Sequence, residues 1–315
     1  MKIAILICTR NRPVQLDALL QSISRLDLMP EQVVISSSGQ DVADVILRYL
    51  GQFKYSHIHT DLYGQIRQKM LGIAALEKSI EWTIFLDDDV ALPSDTLSKL
   101  RNLVELRSPQ DIMPLLGVGF KTPSTSQLQG AGRAKKLLAR IFFLDSRIPG
   151  KVLASGHPVQ YVNSINSIST QWLNGISAWN SSSLHFYGSD FLESRYSAFE
   201  DVIFSYGQGK LGELVYAPNI QVNFQSGQTT DLSNVSVFKA ATFWRLKFVL
   251  GNPEFSRIRF LWSQVGRSLF FSINSRSSLP AFANSVFTSI FIYFEVAFQL
   301  LLKRDANWSL SRHCK

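Results

Sequence analysis

Through its first 120 positions the chain alternates short apolar runs with stretches whose apolar residues recur every three or four positions. Lys2 to Cys8 is one such run and reads as a buried strand. Pro13 then stands where a first helical residue belongs, and Leu16, Leu19, Leu20 and Ile23 follow at helical spacing. Gln32 to Ile35 is predicted as a second strand ending in Ser36-Ser-Ser-Gly-Gln-Asp41. A helix follows with Val42, Val45, Ile46, Tyr49 and Leu50 on one face. Phe53 to His59, a helix over Gly64 to Ser79 and a short strand over Thr83 to Leu86 continue the pattern. Alternation of this kind predicts βαβ units, an α/β class and a mostly parallel central sheet flanked by helices. Ligands of such sheets collect outside the carboxyl ends of the strands, where Thr9–Pro13, Ser36–Asp41 and Asp87–Asp89 all lie.

Further on, Ser94 is expected to cap a helix carrying Leu97, Leu100, Leu103 and Val104, and Leu115 to Phe120 reads as a strand. Periodicity then fails from Lys121 to about Thr170, a stretch expected to cover a cleft or meet a second substrate. Gly130-Ala-Gly132 within it lacks the third glycine and follows no strand, so it is rejected as a dinucleotide site. Order returns at Gln171. A helix is predicted from Ala198 to Gly207 or Gly209, and short strands over Val215 to Pro218 and Ile220 to Phe224. Beyond Thr230 the pattern changes to helices rich in Phe, Leu and Arg.

Of 315 residues 46% are apolar, ample for a core, and only two are cysteines, Cys8 and Cys314. A disulfide framework is excluded, and a reducing compartment fits. The apolar start runs straight into Thr9-Arg-Asn-Arg-Pro13, without the cleavage site of a signal peptide. The net charge is +8, unevenly placed. Residues 232–315 hold eleven Lys/Arg and three Asp/Glu, whereas residues 1–231 hold twenty-one of each. A neutral body with a cationic tail suggests attraction to an anionic surface.

The chemistry concentrates at Asp87-Asp88-Asp89. Three adjacent carboxyls at a strand end repel one another and stay ionised cheaply only with a cation among them. Strand alternation sends Asp87 and Asp89 to one side and Asp88 to the other. A solvated acidic turn fits the same three residues. Glu200-Asp201 suits a helix's positive N-terminal end. Trp172 fits an ordinary core position, Gly175 a turn and Arg67 a solvated helix face. His57 and His59 share a strand face without a third metal ligand, which favours a packed or surface pair. His157, His185 and His313 stand alone, and Asn180, Asn234 and Asn307 match the glycosylation pattern by coincidence in a cytoplasmic chain.

Five segments in order resemble a family 2 glycosyltransferase of the GT-A fold, over roughly residues 1–230. Ile7-Cys-Thr-Arg-Asn-Arg-Pro13 resembles the opening nucleotide-binding strand and loop. Gly64-Gln-Ile-Arg-Gln-Lys-Met-Leu-Gly-Ile73 is similar to a segment whose arginine faces the diphosphate. Phe85-Leu-Asp-Asp-Asp89 resembles the DxD metal motif, Trp172-Leu-Asn-Gly175 the acceptor-side motif, and Phe199-Glu-Asp201 the motif supplying the catalytic base. The resemblance implies an inverting transfer from a UDP-, GDP- or dTDP-sugar to a glycan or lipid-linked acceptor of the bacterial surface-glycan type. It implies donor contacts from Thr9, Arg10, Arg12, Ser36, Arg67, Asp87 and Asp88. Mg²⁺ or Mn²⁺ would sit at Asp89 and Asp87, with Gln225 standing where a His commonly completes the site. Trp172, Asn174 and Gly175 would meet the acceptor, Asp201 would be the general base and Glu200 would position the acceptor. Ser36 replaces an Asp that reads the base in many relatives, and Met70 a frequent Asn. Two other readings are carried beside this one. A sugar-nucleotide pyrophosphorylase would want a Gly-rich loop after the first strand, which is missing. A degenerate transferase kept as a membrane scaffold draws on Ser36 and Gln225.

The expected division is a catalytic unit over 1–230, with a nucleotide-sugar half at 1–120 and an acceptor half at 121–230, and a basic amphipathic helical region over 231–315. Ala281 to Leu302 approaches the about 20 apolar residues that span a bilayer. On a helical wheel, however, Asn284, Thr288, Glu295 and Gln299 form a polar stripe. A helix lying in the interface, flanked by Arg257, Arg259, Arg267, Arg276, Lys303 and Arg304, is the expectation. It makes the protein peripheral on the cytoplasmic face of the cell membrane. A helical pair packed on the catalytic unit is the second reading and a transmembrane helix the third. Nucleic acid is not expected as a partner, since no binding motif accompanies the charge.

Overall fold

The computed structural model describes residues 1–62, 64–107, 113–123, 132–161, 164–184, 198–225 and 234–274, with single helical positions between 287 and 298. In chain order the first half holds β1 (Ile3–Arg10), α1 (Pro13–Ile23), β2 (Gln32–Ser38), α2 (Ala43–Leu47), β3 (Tyr55–Thr60) and α3 (Gln65–Ala74). It continues through β4 (Trp82–Asp87), β5 (Val90–Ala91), α4 (Thr96–Arg107) and β6 (Leu115–Lys121). The second half holds α5 (Arg133–Ile141), β7 (Ile168–Ser169), β8 (Ser177–Asn180), α6 (Glu200–Gln208), β9 (Glu213–Gln221) and β10 (Asn223–Phe224). Two helices close it, α7 (Asn234–Gly251) and α8 (Arg257–Asn274).

Eight strands form one sheet in the order β3-β2-β1-β4-β8-β6-β9-β7. β1 pairs in parallel with β2 and β4, and β6 with β9. β8 runs antiparallel between β4 and β6, and β7 antiparallel at the edge. The expected α/β class with a mostly parallel sheet is therefore what the chain forms.

Strand alternation divides the core into two layers. Ile5, Ile7, Val33, Ile35, Ile84 and Leu86 pack with Leu16, Leu19, Ile46 and Leu97 from α1, α2 and α4. Leu6, Val34 and Phe85 point the other way, toward Ile73 of α3 and toward Leu173, Trp179 and Leu214. Gly72 lets α3 lie close, since a Cβ there would sit 2.7 Å from a Leu6 methyl. Cys8 is enclosed beneath α3, and burial pushes its thiol up to about 12.

Several elements depart from the sequence expectation. α3 stops at Ala74 instead of Ser79 because Gln32 caps it: its side-chain nitrogen donates to Ala75 O (2.9 Å) and its oxygen accepts from Glu77 N (3.0 Å). β9 is one strand through Pro218, not two. The ladder with β6 jumps from Ala217 to Gln221, so the missing proline N–H falls in the irregularity. α5 lies inside the stretch read as aperiodic. Only its Ala139 is buried, while Leu137 and Ile141 are exposed, so no core-facing stripe announced it.

α7 and α8 pack on the catalytic body. Phe248, Val249, Phe255 and Phe260 share a core with Val152, Tyr161, Trp172, Val202 and Tyr216. Among the described residues no helix is long and apolar enough to cross a membrane. Most of Ala281 to Leu302, with Arg276, Lys303 and Arg304, lies outside the described residues.

Gly72→Val should lower unfolding free energy by about 1–3 kcal/mol, because the added carbons have no room against Leu6. Urea denaturation followed by fluorescence checks it, and unchanged stability would mean that α3 does not lie this close to β1.

Candidate active site

The carboxyl ends of β1 and β4 stand side by side, with Cys8 level with Asp87. β4 ends at Asp87, so the alternation expected through Asp89 stops two residues early. Asp88 is buried and accepts from Thr9 Oγ1 (2.7 Å) and Arg12 Nη1 (3.2 Å). The same Arg12 nitrogen reaches Asp89 Oδ2 at 3.2 Å. Arg12 thus draws Asp88 and Asp89 together, and Asp87 lies on the α3 side, where Gln65 Nε2 meets it at 3.3 Å. The expectation that Asp87 and Asp89 face one way against Asp88 is corrected here, because a turn and a shared arginine replace the strand geometry.

Asp87 feels one nearby cation, Lys69, against three carboxylates, Asp88, Asp89 and Glu200. Loss of water combines with that repulsion to raise its carboxyl to about 6. Lys69 and Glu200 are 5% and 6% exposed and form an ion pair of 2.5 Å. The pair holds the lysine well above its usual value despite burial. It ties α3 of the first half to the first residue of α6.

Phe199 precedes α6 in the left-handed conformation (φ 79°), unusual for an aromatic residue. No side chain caps α6, and its first turn carries Glu200 and Asp201. Asp201 Oδ1 accepts from Val202 N (2.9 Å). Removal from water, with the negative Glu200 beside it, raises the Asp201 carboxyl above the ordinary range.

Asp87 and Asp201 both line a cavity of 450 Å³, together with Thr122, Tyr161, Trp172, Asn174, Gly175 and Phe199. That is within the about 300–1,000 Å³ of ordinary ligand pockets. Trp172 is 4% exposed and donates Nε1–H to Val159 O (3.0 Å), so its ring is chiefly a packed wall. Tyr161 Oη accepts from Asn174 N (2.8 Å), and Asn174 Nδ2 reaches Thr122 Oγ1 (3.3 Å). The space above Gly175 is open.

Other expected site residues lie farther from this cavity. Ser36 is fully buried, its carbonyl taken by Gln68 Nε2 (3.0 Å), and it presents no surface to a ligand. Arg10 is half-buried at the end of β1. Arg67 is half-buried on α3, two residues (about 200° of helix) from both Gln65 and Lys69, whose side chains face the carboxylates. Gln225 comes close to Asp89 through the pairing of β10 with β5, its N–H donating to Asp89 O (2.8 Å), and its side-chain nitrogen donates to Val90 O (2.7 Å). His57 and His59 share Ser37 Oγ at 2.8 and 3.0 Å, a packed pair as expected. Sequence reasoning missed Lys69, Gln65, Thr122 and Tyr161. A lysine on the apolar side of α3, between Ile66 and Ile73, was the available signal.

Among the described residues no three His, Cys, Asp or Glu side chains converge as a complete metal cage. The chemistry of Asp87 and Asp89 nonetheless fits a hard divalent cation: oxygen donors in local excess of negative charge, with ligands left to be supplied by phosphate oxygens and water.

Residues 4–140 match the family described as Glycosyl transferase family 2. The matched stretch runs from β1 into α5. No curated protein matches the chain by sequence. Among solved structures, the mannosyltransferase PcManGT from Pyrobaculum calidifontis, in complex with GDP-Man and Mn²⁺, has a TM-score of 0.55 at 11% identity. The match covers 96% of this chain and 88% of that one. S. aureus TarS 1-349 in complex with UDP-GlcNAc has a TM-score of 0.52 at 13% identity, over 93% and 81%. The chain spans 44% of the length of a longer S. aureus TarS structure. These likenesses show the fold, which is that of GT-A glycosyltransferases.

Within this domain, Lys69→Met should cost about 3–5 kcal/mol by leaving Glu200 buried and unpaired. Adding Glu200→Met to it should recover much of that loss in a denaturation experiment. A single variant as stable as the parent would show that the pair is not buried in solution.

Proposed function

We propose that the protein moves a sugar from a nucleotide-diphosphate donor to an acceptor hydroxyl with inversion, using Asp201 as general base. The observation that carries the reading is the single cavity lined by both Asp87 and Asp201. The donor's diphosphate belongs at the Asp87–Asp89 end, beside Thr9 and Arg12. A Mg²⁺ or Mn²⁺ ion bound by Asp87 and Asp89 would neutralise the charge that develops on the departing diphosphate. Arg12, already between Asp88 and Asp89, supplies a second cation there. Bound donors named for the structural neighbours, UDP-GlcNAc and GDP-Man, support a UDP- or GDP-linked sugar.

The acceptor enters against Trp172, Asn174, Gly175 and Phe199. Its attacking hydroxyl gives its proton to Asp201, whose raised affinity suits that task near neutral pH. Lys69 fixes Glu200 and thereby the start of α6, so Glu200 acts by positioning its neighbour rather than by touching the acceptor. One displacement from the face opposite the leaving group inverts the anomeric carbon. The acceptor is a glycan or lipid-linked sugar in this reading.

Asp201→Asn should lower kcat by about 10²–10⁴ and leave donor binding within about twofold. In the parent enzyme only the ionised base works, so kcat should fall as pH drops through the raised value, above the about 3.9 of an unperturbed aspartate. Chelation by EDTA should remove activity, and added Mg²⁺ or Mn²⁺ restore it. Full turnover by the asparagine variant, measured as nucleotide release with acceptor present, would exclude this base.

A peripheral membrane location is supported by α8. Ile258, Leu261, Trp262 and Val265 follow helical spacing and are 80%, 61%, 45% and 51% exposed, with Arg257 and Arg259 beside them. Phe287, Phe291, Phe294 and Phe298 are exposed as well. Such a surface suits the cytoplasmic face of an anionic bilayer. Ile258→Glu with Leu261→Glu should weaken sedimentation with anionic vesicles at least about tenfold. Undiminished binding would assign the surface elsewhere.

A further inference from the structure

Behind the acceptor wall of the cavity two arginines lie close together with no acid beside them among the described residues. Arg245 of α7 is 2% exposed, and its Nε and Nη1 are buried with no hydrogen-bond partner. Its Nη2 donates to His157 Nδ1 at 3.1 Å, so the imidazole must be neutral with its proton on Nε2. Burial and the two guanidiniums hold His157 well below its usual value. Arg267, half-buried on α8, lies close enough to repel Arg245. Its Nη1 meets Gln264 Oε1 (3.0 Å) and Thr242 Oγ1 (3.5 Å), and its guanidinium lies 4.8 Å from the Phe238 ring. The two cations repel each other, and neither has a carboxylate among the described residues.

Burying one unpaired guanidinium costs several kcal/mol, and a second like charge beside it adds to that. Native structures rarely leave such donors unsatisfied, and an unseen ion is one of the few physical explanations. Arginine forks match planar or tetrahedral oxyanions. Two facing cations balance about two negative charges, which a phosphate monoester or diphosphate carries on one small group and a carboxylate does not. The position matters too. The Arg245 guanidinium lies 5.6 Å from the Phe199 ring, and Phe199 both lines the cavity and precedes Glu200 and Asp201. His157 is followed by Pro158, another lining residue, with Gln160 beyond it. Thr242 and Ser268 add hydroxyls to the same inter-helical region.

We propose that Arg245 and Arg267 form a phosphoryl-binding site at the acceptor end of the cavity, which holds a phosphate carried by the acceptor. The site itself stands on the partnerless Nε and Nη1 of Arg245 and the second guanidinium close to it; its assignment to the acceptor rests on the transferase reading above.

The test uses the full chain. Inorganic phosphate should raise the melting temperature above that in chloride of equal ionic strength. Arg267→Gln and Arg245→Lys should each weaken phosphate binding about tenfold or more. Both variants should keep the stabilisation by UDP or GDP with Mg²⁺, which reports an intact donor side and fold. No phosphate effect in the parent, or an equal effect in both variants, overturns the site. In the second arm, a sugar acceptor bearing a phosphate is compared with the same sugar without it. Arg267→Gln should raise KM for the phosphorylated acceptor at little change in kcat, and leave the plain one unaffected. Loss of phosphate binding with equal use of both acceptors would overturn the acceptor assignment and identify a site for a free anion. Failure to bind any nucleotide-sugar, with phosphate binding intact, would overturn the transferase reading alone.

Discussion

A lysine and a glutamate, Lys69 and Glu200, are separated by 131 positions in sequence and meet at 2.5 Å out of reach of water. Each alone would be costly to bury, so each requires the other, and the two halves of the domain are drawn together at that point. α3 is fixed on the sheet by Gly72 and Leu6, so the lysine has a defined position. Glu200 then sets the first turn of α6, and Asp201 follows on the cavity side. The left-handed Phe199 is consistent with a chain bent to satisfy this contact rather than local preference. Charge pairing in the core thus sets the position of a carboxyl at the surface of the cavity.

The carboxylates around Asp87 divide by the same logic. Arg12 takes up Asp88 and Asp89, and Lys69 answers Glu200, which leaves Asp87 short of positive charge and with a raised proton affinity. A cation and an anionic donor arriving together relieve that imbalance from both sides. Behind Phe199 of the same cavity the imbalance has the opposite sign, since Arg245 and Arg267 have no acid beside them among the described residues. The cavity therefore has an excess of negative charge around Asp87 and an excess of positive charge behind Phe199.

The helices after residue 230 turn out to belong largely to this body. Trp244 and Phe248 of α7 are buried, whereas α8 keeps an exposed apolar stripe. Composition places a boundary at 231, where Phe, Leu and Arg become frequent, and does not distinguish a core-facing phenylalanine from one facing outward. Phe248 of α7, with Phe255 after it, shares a core with Tyr161 and Trp172, which line the cavity.

Strand and helix order, the parallel sheet and the gathering of Asp87, Thr9 and Arg12 at one edge were legible in the sequence. They follow from local periodicity and from the rule that parallel strands carry their loops to a common end. Motif order also singled out Asp201, Asn174 and Gly175, which the fold brings to the cavity with Asp87. Partnerships were not legible. The resemblance points to Arg67 on α3, and the ion pair with Glu200 is made by Lys69, two residues on. Ser36, a donor contact by the resemblance, is fully buried. Helical phase relative to a distant element decides such matters, and that phase exists only once the layers have packed. Sequence therefore determined which residues gather at the strand ends, through spacing a few residues long. Tertiary structure alone decided which charges are answered and which are left open, because that depends on contacts made across more than a hundred residues in a medium where water cannot compensate.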